Sequence, residues 1–116
     1  MVGITVVLMI VLMVALVGSA VAKFTKVPRV IDSVRSVGVA DRQIPVLGGI
    51  EIVGAVGLTV GIFVPWVGVI AAVGVLAYFA LAAASHVRVG DAGEMIPAAA
   101  LAVLSLIVLV LRVVTL

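Results

Sequence analysis

The chain predicts an all-α polytopic membrane protein: an antiparallel bundle of four transmembrane helices, with a short amphipathic segment between spans one and two. Three observations carry that expectation. Apolar residues make up 66% of the 116 positions, charged residues only 10%, and mean hydropathy is +1.59. A water-soluble domain has roughly a quarter of its residues charged, so this composition leaves too little polar surface for water. The apolar residues fall into four runs, at approximately 2–22, 44–64, 66–86 and 95–112, each close to the ~20 residues that a bilayer crossing needs. The charges collect between the runs, and the length suits one domain, 1–116.

The first run, Val2–Ala22, is apolar apart from Thr5 and Ser19. Ala20-Val21-Ala22 has the small-x-small form of a leader cleavage site, but no basic stretch precedes the apolar run, so it reads as a span. The segment 23–43 differs in kind, with Lys23, Lys26, Arg29, Arg35 and Arg42 set against Asp32 and Asp41. Val27, Val30, Ile31, Val34 and Val37 recur within it at helical spacing, Pro28 suits a first turn and Gly38 a stop. That pattern predicts a short helix lying on the membrane surface.

The second run carries only Glu51 and Thr59 as polar residues. Val64-Pro65-Trp66 then leaves so short a turn that spans two and three must be antiparallel neighbours. Pro65 ends one helix and begins the next, and Trp66 suits a headgroup-level anchor. Four spans place both termini on one side. The loops 23–43 and 87–94 hold most of the Lys and Arg, so the positive-inside rule puts them in the cytoplasm and the termini outside a cell inner (plasma) membrane.

Several function classes drop out at this point. The basic residues cluster in one loop rather than along a face, which does not describe a nucleic-acid surface. With no cysteine there are no disulfides, thiolates or cysteine-held clusters, and a single histidine excludes a multi-histidine metal site within one chain. No phosphate-binding loop or nucleophile elbow occurs. Gly57 and Gly61, with Gly68, Ala71 and Ala72 in span three, read as close helix packing.

One carboxylate stands out. Glu51 lies seven residues into an uncharged run, ~10 Å down its helix. An ionisable group at that depth faces a bundle interior or a wet cavity and marks a functional site. Topology puts other polar groups in the same half of the bundle: Lys23 closes span one, Ser85 and His86 close span three, Arg88 and Asp91 follow, and Glu94 opens span four. Gly54, Ala55 and Leu58 share the helical face of Glu51 and leave space beside it, while Tyr78 and Phe79 would wall the deeper side. Glu51 and His86 are therefore the expected acid/base pair, with His86 the expected cross-helix partner of the carboxylate. Lys23, Tyr78, Arg88 and Asp91 are expected in support. For Lys23, Arg88, Asp91 and Glu94 the plainer alternative is snorkelling to the interface and pinning of helix ends.

Gly18-Ser19-Ala20-x-x-Lys23, Pro45…Gly49-x-Glu51-x-x-Gly54-Ala55 and Ala84-Ser85-His86-x-Arg88-x-Gly90-Asp91, with Pro97 near the start of span four, resemble the DoxX-like family of small four-helix membrane proteins. The resemblance runs over essentially the whole chain with its motifs in order. It implies a compact four-helix membrane fold. Relatives are associated with quinone-linked oxidation of sulfur compounds or with membrane redox complexes. Three readings follow: a site for a small lipophilic molecule such as a quinone, entered from the bilayer; an accessory subunit that binds partners, as a homo-oligomer or within a membrane complex; or a proton or small-ion pathway through Glu51 and His86. The last is the poorest, because no polar group continues a route through the outer half. No cofactor is specified by the residues.

Overall fold

The first apolar run forms helix α1 (Val2–Phe24), which ends where backbone geometry stops it. Val27 N–H reaches back to the Ala22 carbonyl at 3.0 Å and Lys26 N–H to that of Lys23 at 3.3 Å. Lys26 takes a left-handed φ of 57° to allow this, at a position where helices ordinarily use glycine. Pro28 then opens α2 (Pro28–Ser36), the amphipathic helix expected from the valine spacing. Beyond it Gly38 turns the chain at φ 90°, and a single 3₁₀ turn at Asp41–Gln43 leads into the second span. This computed structural model describes residues 2–90 and 92–116, without the side chains of Ala92 and Glu94.

The second and third spans are α3 (Ile44–Phe63) and α4 (Pro65–Arg88), with only Val64, in extended conformation, between them. The fourth span belongs to α5 (Ala92–Val114), which holds Pro97 inside its second turn. All four expected spans are helices long and apolar enough to cross a membrane. At ~1.5 Å per residue each reaches or exceeds the ~30 Å of a hydrocarbon core. The chain is an all-α membrane bundle.

Packing runs around the bundle in chain order: α1 against α3, α3 against α4, and most extensively α4 against α5, with α1 meeting α5 only lightly. Met9, Leu12 and Leu16 of α1 meet Leu58 of α3, Val75 and Phe79 of α4 and Val108 of α5 in the core. The outer surface is equally apolar, with Val14, Val53, Phe63 and Ile70 mostly exposed, as a lipid-facing surface must be. Hydropathy therefore does not separate inside from outside; polar residues do. Thr5, Lys23, Glu51, His86, Ser105 and Arg112 are all buried. Thr59, in mid-span, is exposed, and its hydroxyl bonds the Ala55 carbonyl of its own helix at 2.8 Å.

The tight α3–α4 turn depends on two glycines. A methyl group on Gly61 would overlap the Cα and N of Gly68. The same corner receives Arg112 of α5, 4% exposed, whose Nη2 donates to the Gly61 and Ile62 carbonyls at 2.9 and 3.2 Å and whose Nε also donates to Gly61 at 3.2 Å. A cation thus satisfies the last carbonyls of α3 at the negative end of that helix. This ties the fourth span to the second at the end opposite the polar loops.

Candidate functional site

The buried stripe of α1 recurs at three- and four-residue intervals, Thr5, Met9, Leu12, Leu16, Ala20 and Lys23, so its final member is a lysine aimed into the bundle. The stripe of α3 runs Ile44, Gly48, Glu51, Ala55, Leu58 and Gly61. Where the two stripes meet, Lys23 Nζ stands 2.7 Å from Glu51 Oε1. The lysine is 7% exposed and the glutamate 1%. Lys23 also donates to Ser19 Oγ, one turn earlier, at 2.8 Å.

Two expectations are corrected here. Lys23 does not snorkel out to the interface, and it rather than His86 is the ionic partner of Glu51. The physical reason is phase. Lys23 falls on the inward stripe, and a buried carboxylate with a cation in reach binds it rather than leave its charge uncompensated.

The pairing is incomplete. Neither oxygen of Glu51 accepts a well-formed hydrogen bond among the described residues, so the Lys23 contact is one of charge and Oε2 stands open. Tyr78 of α4 stands beside the carboxylate, half-buried, its phenol near Glu51 without closing that deficit. Tyr78 and Phe79 meet edge to face, with ring centres 5.2 Å apart and planes at 87°. This is the aromatic wall expected below the site. His86 occupies the last turn of α4, 8% exposed, and its Nδ1 likewise lacks a hydrogen-bond partner. Unpaired buried polar atoms are uncommon in folded proteins and call for an explanation such as a bound molecule.

Lys23, Glu51, Tyr78 and His86 line one cavity of about 670 Å³. The rest of its wall is mainly apolar: Leu47 and Ile50 from α3, Ala82 from α4, and Ala98 and Leu101 from α5. Helix α2 covers it from the loop side through Val30, Ser33 and Val34. Arg88, by contrast, is exposed and off the cavity wall, so it is not brought to Glu51. Asp91 lies outside the described residues. No three His, Asp or Glu side chains gather into a metal site among those described.

Some of this wall escaped the sequence. Ser19 is signalled only by its four-residue offset from Lys23, and the covering role of α2 has no local signal. A helix with valines on one face lies equally well on lipid.

Compared with known proteins, residues 7–108 match the family model described as the DoxX-like family. No curated protein and no solved structure matches the chain significantly.

Proposed function

Because the chain belongs to the DoxX-like family, its match covering most of the four membrane-capable helices, we propose that it binds a small lipophilic molecule beside Glu51 and exchanges protons with it. The observation that carries this reading is the pairing of two orphaned polar groups, Glu51 Oε2 and His86 Nδ1, with one largely apolar cavity of about 670 Å³, whose wall also holds Lys23, Arg29 and Tyr78. Such a site selects an apolar body with a few polar atoms in fixed places. Glu51, fixed at 2.7 Å from Lys23, offers its remaining oxygen as an acceptor for a ligand hydroxyl. His86 Nδ1 can donate or accept according to its proton. Tyr78 and Phe79 offer ring edges and faces to a flat molecule.

A quinone meets these requirements, since it joins an apolar ring to oxygens whose protonation accompanies its redox chemistry. Glu51 and His86 are the groups placed to take up or release those protons. The test is to extract the protein with its surrounding lipid and identify the small molecules that travel with it by mass spectrometry. A lipophilic compound is expected with the natural chain and should be lost from Glu51→Gln protein that keeps its helical circular dichroism. The same compounds at the same level in both would reject the reading.

A further inference from the structure

A second cavity, of about 530 Å³, lies on the loop side of the bundle between α2 and the 3₁₀ turn, apart from the cavity of the proposed function except for one shared wall residue, Lys23. Its chemistry is different. Lys23, Lys26, Arg35 and Arg42 face Asp32 and Asp41 around it, over a floor that includes buried Ile31 and Ile44. The charges do not cancel. Arg35 is the nearest cation to both carboxylates, holding Asp41 through two hydrogen bonds of 2.6 Å and approaching Asp32 at 3.9 Å, while Lys26 acts on Asp41 only at longer range. Lys23 is committed to Glu51. Lys26 and Arg42 remain, in no ion pair among the described residues. Counting Lys26, Arg35 and Arg42 against Asp32 and Asp41 gives three positive and two negative charges, an excess of one.

Two further features have the same sign. Helix α2 starts at this cavity, through Pro28, with no side chain capping its first turn, so the positive end of its dipole lies at the cavity. The cavity also lies where α1 ends and α3 begins, at the loop end of the spans, and its apolar floor suits the glycerol and first methylenes below a phosphate.

We propose that this cavity binds the phosphate of an anionic lipid headgroup, with Lys26 and Arg42 as the recognising cations. A phosphodiester carries one negative charge, matching the excess. Arg42 presents a planar fork to its oxygens, Lys26 a point charge.

The experiment places the full-length protein in phosphatidylcholine nanodiscs doped with phosphatidylglycerol and counts, by native mass spectrometry, the lipids retained after release into detergent. One phosphatidylglycerol should be retained in preference to phosphatidylcholine. Lys26→Gln and Arg42→Gln should each lower its retention about fivefold, the usual worth of one basic residue near an anionic lipid. Arg42→Lys should keep part of it. Arg88→Gln, on the same side but off the cavity wall, should change nothing. All these positions are exposed, so the variants fold. Retention without preference for the anionic lipid, or an equal loss in Arg88→Gln, overturns the proposal. So does displacement of the lipid by millimolar inorganic phosphate, which would identify a free-anion site.

Discussion

At the scale of single residues, Lys23 and Glu51 should be unequal partners. Lys23→Met strands a carboxylate that is 1% exposed, and breaking a buried pair in this way costs about 3–5 kcal/mol. Glu51→Gln leaves an ammonium that keeps Ser19 and gains an amide oxygen, and that stands near enough to its helix end to turn outward, so its cost should be ~1 kcal/mol. Lys23→Met combined with Glu51→Leu should recover most of the stability lost by the first change. Reversible unfolding in mixed micelles measures all three; equal costs for the two single changes would show that the pair is not set as deeply as described. Glu51 was legible in the sequence because a lone charge in an uncharged run has no innocent place in lipid. The inward turn of Lys23 was not. A lysine one turn from a helix end reaches the interface or the core equally well, and its choice depends on the rotational phase of α1 against α3, which only packing sets.

Individual elements carry different consequences. Lys26 stands left-handed at the end of α1, a posture that costs a residue with a Cβ about 1 kcal/mol relative to glycine. Lys26→Gly should therefore raise thermal stability while weakening retention of anionic lipid, two readouts moving in opposite directions. Helix α2 is clasped by the exposed Arg35–Asp41 pair, in which the bonded carboxylate raises the pKa of the guanidinium further. Arg35→Ala should speed amide exchange over residues 28–36 yet leave the global unfolding midpoint almost unmoved, because exposed pairs contribute little. The α3–α4 corner tolerates no such change. Gly61→Ala should destabilise by 2 kcal/mol or more, on the order of a severe overpacking, since the methyl group has backbone rather than a movable side chain against it. The existence and ends of α2 could be read from Pro28, Gly38 and the valine spacing. Its place over the cavity could not, because that follows from the turn at Lys26, where the sequence offers no glycine to announce it.

For the molecule as a whole, the four spans were readable because each is an apolar run of bilayer length, and the pairing of α3 with α4 followed from the tight turn at Pro65; the contact of α1 with α3 across the long segment between them did not. Which side faces the cytoplasm is a separate expectation, from loop charge. With no native cysteine, Ser36→Cys on the exposed end of α2 reports it directly. It should resist an impermeant thiol reagent on intact cells and react after lysis; rapid labelling of intact cells would reverse the orientation. The two cavities share one wall residue, Lys23, and this has a thermodynamic consequence. An anion on the loop side attracts Lys23 away from Glu51, and a ligand that draws on the Glu51 carboxylate releases Lys23 toward the loop side. If both proposed sites bind as described, filling either chamber would alter the other's affinity, by the same factor in both directions. A membrane's content of acidic lipid would in this way set how readily the inner chamber loads, with no movement of any helix.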